Sequence, residues 1–389
     1  MPILRWMLRS KYPYARILLL AVTFLAAAAP CFAQPARWTE QKANEWYAQQ
    51  PWLVGSNYIP ATAINQLEMW QADTFDPQRI DLELGWAESI GLNTMRVFLH
   101  DLPWQEDAAG FQKRIDTFLS IAGKHHIRIL FVLFDSVWDP SPHLGKQHAP
   151  APGVHNSGWV QSPGAVALKD SSQWPRLETY VKGVVGAFGN DSRVLGWDVW
   201  NEPSNTNIPA YSVHEPPNKK EIVRELLPKV FAWARAAGAT QPLTSGLWEG
   251  GDYTKPEKLD AIAKIQFEQS DVLTFHNYGK PSAFEKQVRE LQKFHRPVIC
   301  TEYMARPRKS TFEGILPIAK ANKVGAINWG LVAGKTQTYL PWDSWKKPYV
   351  NGREPKVWFH ELFRTDGQPY RQEEAELIRR LTQTNSAAK

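Results

Sequence analysis

Cysteine is scarce in this chain of 389 residues: only Cys31 and Cys300 are present, and Cys31 falls in a leader-like stretch. A disulfide framework is thereby excluded, and stability has to come from a buried core. Long hydrophobic runs are missing too. The longest, Ile17 to Ala29, is 13 residues, short of the roughly 20 that a membrane-spanning helix needs. Charge of one sign is not in real excess. Of 45 Lys and Arg residues, four (Arg5, Arg9, Lys11 and Arg16) lie in the leader, which leaves 41 against 39 Asp and Glu. No basic surplus remains to suggest a nucleic-acid partner. A Gly-rich phosphate loop is absent after the first predicted strand, where Tyr58-Ile59-Pro60-Ala61 stands, and that strand carries no His-x-His. Neither a nucleotide cofactor nor a bound metal is expected, and the scattered His residues of the later loops lack ligand spacing.

What is present is a globular, enzyme-sized composition, 43% hydrophobic and 22% charged, with 18 Trp, 12 Tyr and 17 Phe. Aromatics in that number fill a core or face a flat, partly apolar ligand. The basic leader, the short apolar run and Cys31-Phe32-Ala33 read as a secretory signal peptide cleaved after Ala33, so a periplasmic or extracellular location is expected and no membrane segment after cleavage. Pro30 before Cys31 is a poor fit to a lipoprotein anchor. Residues 34–389 read as one domain.

Within it, short apolar runs alternate with helical patterns, as in βαβ units. Eight strands are predicted: Leu53 to Tyr58, Thr94 to Leu99, Arg128 to Phe134, Val194 to Trp200, Pro242 to Ser245, Val272 to Phe275, Val298 to Thr301 and Val324 to Trp329. Helices are predicted at Asp76 to Ile90, Trp174 to Phe188, Lys219 to Ala237, Ser282 to His295 and Thr311 to Asn322, several with Asp, Ser or Pro start signals and a Gly stop. The fold class is α/β, a (β/α)8 TIM barrel with insertions; a doubly wound sheet is the runner-up. One connection, about 135–172, is Pro-, Gly- and His-rich without periodicity, and its Trp138, His143, His148, His155 and Trp159 argue for an ordered element serving a site.

In a barrel, functional groups sit just past the C-terminal ends of the strands. Those positions hold Tyr58, Arg96 and His100, Asp135, Asn201 and Glu202, Trp248 and Glu249, His276 and Tyr278, Glu302 and Tyr303, and Trp329. Two signals are sharp. Gly196-Trp197-Asp198-Val199-Trp200-Asn201-Glu202-Pro203 delivers an Asn-Glu pair from a strand into a Pro-stopped loop, and Val298-Ile299-Cys300-Thr301-Glu302-Tyr303 delivers a second carboxylate. Three βα units separate them, which sets them nearly opposite each other across one mouth.

On these residues the sequence resembles the clan of retaining β-glycosidases built on (β/α)8 barrels, and in pattern glycoside hydrolase family 5 with its cellulase-like relatives. Asn201-Glu202-Pro203 matches the acid/base signature and Glu302 the nucleophile. The resemblance implies sugar-binding or carboxylate-positioning roles for Arg96, His276, Tyr278 and Trp329. One position departs. The family usually carries a His near the end of strand three, where this sequence has Asp135; His100 is the candidate for similar space. Both are expected to contact substrate, as is Trp248, with Trp138 and Trp159 as further aromatic candidates.

The chemistry is consistent with the resemblance. Glycoside cleavage with retention needs one carboxylic acid and one carboxylate about 5–5.5 Å apart. Asn201 is suited to the sugar's 2-hydroxyl. Arg96 and Tyr278 are suited to holding Glu302 as an anion, and a raised pKa is expected for Glu202 from the charge of Glu302. The expectation is a cofactor-free, exported, retaining β-glycoside hydrolase acting on an oligo- or polysaccharide, with the 135–172 insertion blocking one side of the groove and favouring chain ends. A non-catalytic carbohydrate-binding barrel and a metal-dependent barrel hydrolase are the rivals; the oligomeric state is left open.

Overall fold

Residues 36–383 of the chain are described by a computed structural model. The predicted leader and its cleavage site lie outside them. Eight parallel strands, β1 (Val54–Tyr58), β2 (Thr94–Phe98), β3 (Arg128–Val132), β4 (Val194–Asp198), β5 (Leu243–Thr244), β6 (Leu273–His276), β7 (Val298–Glu302) and β8 (Gly325–Trp329), run in the order β5-β4-β3-β2-β1-β8-β7-β6. The ends of that order meet. Leu247 bridges Phe275, and the Leu247 and His276 amides each donate at 2.9 Å across the seam, so the sheet closes into the expected barrel. Every predicted strand is found, with edges shifted by a residue or two: the predicted Arg128–Phe134 stops as β3 at Val132, for instance.

Each strand is followed by a helix on the outside: α1 (Pro77–Ser89), α2 (Ala108–Lys124), α3 (Trp174–Phe188), α4 (Lys219–Ala236), α5 (Ala261–Gln269), α6 (Pro281–Gln292), α7 (Phe312–Ala321) and α8 (Gln372–Gln383). Their register follows from sequence. In α2, Phe111, Ile115, Phe118, Leu119 and Ala122 recur at helical spacing and are buried against the barrel, while Asp107 caps the start by accepting from the Gly110 amide at 2.9 Å. The opposite faces of the strands fill the barrel. Leu53, Leu130, Leu195, Val272, Ile299 and Ile327 converge from six strand segments on Trp38 and on Ala43 of an N-terminal helix, Glu40–Ala48, which closes the bottom. An apolar plug there confines polar interior groups to the top, where β2 and β4 place Arg96 and Asp198.

Two connections over the top are long. One is the expected insertion after β3; the other, residues 330–371 between β8 and α8, is comparably long and was not singled out from sequence. The two are laced together: Asn156 N–H donates to Thr336 O at 2.7 Å, Tyr349 N–H to Gly153 O at 2.8 Å, and His155 N–H to Ser344 Oγ at 2.9 Å. Gly153 has φ +70°, and a β-carbon there would lie 2.2 Å from the Tyr349 carbonyl oxygen, so only glycine allows this crossing. The insertion is thus an ordered wall.

Candidate active site

Arg96 organises the top of the barrel interior. Its side chain is fully buried, and its five N–H groups make five bonds: Nε and Nη2 to one oxygen of Asp198 (3.0 and 2.7 Å), Nη2 to Asn201 Oδ1 (2.7 Å), and Nη1 to Asn57 Oδ1 and Glu302 Oε1 (both 2.9 Å). A guanidinium buried this deeply is tolerable only when every donor is met and counter-charges are adjacent. The ion-pair role and the nucleophile-holding role of Arg96 are therefore one arrangement. Asp198, which accepts two of the five bonds, was quoted in the motif but given no role from sequence.

Glu302 ends β7. Between Phe275 and His276 the register with β6 slips by one, so that His276 pairs with Glu302 and the carboxylate turns into the mouth. Its second oxygen accepts from Tyr278 Oη at 2.8 Å. Burial raises the Glu302 pKa above the ordinary carboxylate value and the charge of Glu202 adds to it, while His276, Arg96 and Tyr278 pull the other way. Three neighbours thus favour the anion at this position.

Glu202 sits across from it with φ +42°, a left-handed conformation that costs a non-glycine residue about 1–3 kcal/mol and that the bonds around it hold in place. Asn205 Nδ2 donates to Glu202 Oε2 at 2.7 Å. Asn205 is itself tethered by the buried Lys219 of α4, whose ammonium donates to the Asn205 carbonyl at 2.6 Å and pairs with Glu215 at 2.8 Å. The Glu202 pKa is pushed up to about 7, with burial as the largest cause. His276 Nδ1 lies 2.9 Å from Glu202 Oε1 and 3.5 Å from Glu302 Oε2. Burial lowers His276 to about 4, so it bridges the pair as a neutral ring. One oxygen each of Glu202 and Glu302 and a nitrogen of His276 all lie within 4.8 Å of one another. That spacing would also suit a cation, though Arg96 already occupies one oxygen of Glu302.

These groups open into a cavity of 680 Å³ walled by Trp138, Trp248, Tyr278, Trp329, Trp342 and Trp345. Trp329 forms its floor, propped edge-on by Phe98 (5.8 Å between ring centroids) and Trp159 (5.9 Å). Trp138 and Trp345 are stacked at 5.3 Å, joining the two long connections in one wall. Of the predicted site residues, Glu202, Glu302, Asn201, Trp248, His276, Tyr278 and Trp329 line the cavity, and Arg96 lies directly behind them.

Two predicted contacts do not reach it. His100 is wholly buried as the N-cap of Asp101–Glu106, accepting from the Leu102 amide at 3.1 Å. Asp135 is also buried: it accepts from Asn201 Nδ2 at 2.9 Å and Trp159 Nε1 at 2.6 Å, and burial lifts its pKa to about 7. It orients Asn201 and the support of the floor, and touches no cavity space itself. Trp159 likewise supports and does not line. Sequence reading missed Asn57, Asn205, Trp342, Trp345 and His360; the last three come from residues 330–371, whose lack of periodicity was the available signal.

An eight-stranded barrel with two glutamates converging from β4 and β7, backed by a saturated arginine and lined by tryptophan, is an arrangement suited to glycoside cleavage. Residues 153–335, which include both glutamates, His276, Tyr278 and Trp329, match the family model described as Cellulase (glycosyl hydrolase family 5). Over that stretch, just under half of the chain, the sequence is similar to this family. No curated protein sequence matches the chain. Among solved structures, the exo-β-1,4-mannosidase from Opitutaceae bacterium strain TAV5 aligns over 86% of this chain at 17% identity and a TM-score of 0.56. The chain spans 59% of that protein's length. The endo-1,4-β-mannanase from Rhizomucor miehei aligns over 86% of this chain and 98% of its own, at 12% identity and a TM-score of 0.54. A GH5_18 protein from Streptomyces cattleya, in complex with Manβ1-4GlcNAc, aligns over 87% and 82%, at 11% identity and a TM-score of 0.56. At these identities the likeness is one of fold.

Proposed function

We propose that the chain is an exported, retaining β-glycosidase that cleaves β-1,4-linked oligosaccharides near a chain end through a glycosyl-Glu302 intermediate. The observation that carries the reading is that Glu202 and Glu302 face each other with an oxygen of one within 4.8 Å of an oxygen of the other, bridged by His276, a closeness that favours the retaining spacing of about 5–5.5 Å between carboxyl groups. Inverting enzymes need about 6.5–9.5 Å to admit a water between the carboxyls. In the first step Glu302 attacks the anomeric carbon while protonated Glu202 gives its proton to the leaving oxygen. In the second, Glu202 takes a proton from water, which displaces Glu302 from the sugar. Asn201, fixed by Arg96 and Asp135, has a second N–H left for the 2-hydroxyl.

Chain-end action rests on the wall of Trp138, His155 and Trp345 along one side of the cavity, and export rests on the leader pattern alone. β-1,4-Mannosides are the first substrates to try, because the similar structures include enzymes named for that linkage. Digestion of manno- and cello-oligosaccharides, followed by NMR, is expected to release one small product from the start, first as the β-anomer. A ladder of internal fragments would overturn chain-end action, α-anomer would overturn retention, and binding without release would leave a carbohydrate-binding barrel.

The pH dependence follows from the same groups. Glu202 has to be protonated to act, and its pKa is about 7. kcat/KM is therefore expected to fall tenfold per unit as pH rises beyond about 7. A rate still climbing at pH 8.5 would contradict Glu202 as the acid.

A further inference from the structure

Two buried histidines in the cavity wall, His155 and His360, take no part in the chemistry above. His155 comes from the insertion after β3 and His360 from residues 330–371, and their ring centroids lie 5.5 Å apart. Each is fixed through Nδ1 to a backbone carbonyl, His155 to Leu340 at 2.7 Å and His360 to Met304. A carbonyl oxygen only accepts, so Nδ1 carries the hydrogen in both rings and Nε2, when the ring is neutral, is a bare acceptor. Burial holds both rings neutral: it lowers His155 to about 4 and His360 well below its ordinary value, with His155 adding to the effect.

Where the Nε2 atoms go is the deciding point. Those of His100 and His276 are sealed in the interior without partners. Those of His155 and His360 likewise have no partner among the described residues but are not sealed, and both rings line the cavity. Trp342 and Phe359 frame them, at 6.5 and 6.1 Å from His155 and 6.2 and 4.5 Å from His360. Tyr278, which donates to Glu302, stands 5.6 Å from His360, so the pair is one side chain away from the nucleophile. A surface that offers two fixed acceptors is complementary to hydroxyl groups.

We propose that His155 and His360 form a hydroxyl-reading pair that accepts hydrogen bonds from two hydroxyls of the bound glycone and so sets which sugar the enzyme takes. The proposal rests on the glycosidase reading. It extends that reading to a subsite built by the two long connections, on the Glu302 side of the cleavage point.

The test uses the full chain and 4-nitrophenyl β-D-mannopyranoside and β-D-glucopyranoside, taking whichever the wild type turns over faster. Asparagine keeps an N–H where Nδ1 was and removes Nε2, whereas glutamine restores an amide near the Nε2 position. His155→Asn and His360→Asn are each expected to raise KM about tenfold with kcat within about twofold, and the glutamine variants to recover part of the loss. Monodeoxy versions of the same glycoside extend the test to unaltered protein: at least one should show a KM rise of similar size on the wild type. That substrate should lose little more on the asparagine variants. A wild type that cleaves the parent glycoside but gives unchanged KM in folded asparagine variants, or is indifferent to every deoxy substrate, overturns the hydroxyl-reading pair and leaves the glycosidase standing. An effect on kcat alone overturns the pair as well. A wild type that cleaves no β-glycoside overturns the glycosidase reading, and the pair with it.

Discussion

Glu302→Ala is expected to lower kcat on the order of 10⁵-fold while the variant still binds sugar within a few-fold of the wild type. The reaction loses its attacking anion, a group engaged fully only in the transition state, so the loss falls on kcat and not on binding. The aromatic walls and the Trp329 floor remain to hold the ring. The variant also leaves one N–H of Arg96 without its partner, but the Asp198, Asn201 and Asn57 bonds persist and keep the guanidinium paired. Glu302→Gln is the matched control. It preserves an acceptor for Arg96 and Tyr278 yet carries no charge, and is expected to be equally inactive. Steady-state rates and calorimetric titration with a disaccharide measure both quantities; near-normal turnover in either variant would remove Glu302 from the mechanism.

Glu202→Ala is expected to divide substrates by leaving group. A natural glycoside needs the proton and should lose roughly 10³–10⁴-fold, whereas a dinitrophenyl glycoside does not and should still give a rapid first turnover. Hydrolysis of the intermediate needs the same residue as base, so the burst should be followed by slow release. Azide requires no deprotonation. It should enter the space vacated by the side chain and yield a β-glycosyl azide. The variant should also lose the fall in rate above pH 7 that the raised pKa of Glu202 imposes. An α-azide would mean single displacement. Equal loss on both leaving groups would place the proton donor elsewhere, and His276, 2.9 Å away, would be the residue to examine.

How much of this was legible in sequence depended on whether the signal was local. Strands such as Ile129–Phe131 are apolar on both faces because helices cover one side and the barrel interior the other, so composition alone marks them. Glu202 and Glu302 stand at strand ends within short readable motifs, and Arg96, His276, Tyr278 and Trp329 were placed by the same rule. Misreadings arose where function depends on a partner distant in the chain. Asp135 follows β3 as a substrate-contacting residue would, but Trp159 and Asn201 take up its oxygens and turn it inward. His100 has the right position and the wrong direction, since the start of a helix claims its Nδ1. Trp342, Trp345 and His360 belong to a segment with no periodicity, and only its lacing to the insertion brings them over the mouth. The raised pKa of Glu202 was anticipated from charge alone, whereas burial, a quantity no local motif displays, is its largest cause.

Trapping the intermediate tests the central claim most directly. A 2-deoxy-2-fluoro glycoside with a dinitrophenolate leaving group destabilises both transition states but leaves departure easy, so a double-displacement enzyme accumulates its covalent form. Incubation of the wild type with the mannosyl and glucosyl reagents, followed by proteolysis and mass spectrometry, is expected to show one fluoroglycosyl group per chain, esterified to Glu302 and released when a second sugar acceptor is added. An adduct on any other residue, or steady turnover of the reagent with inversion and no adduct, would contradict the account.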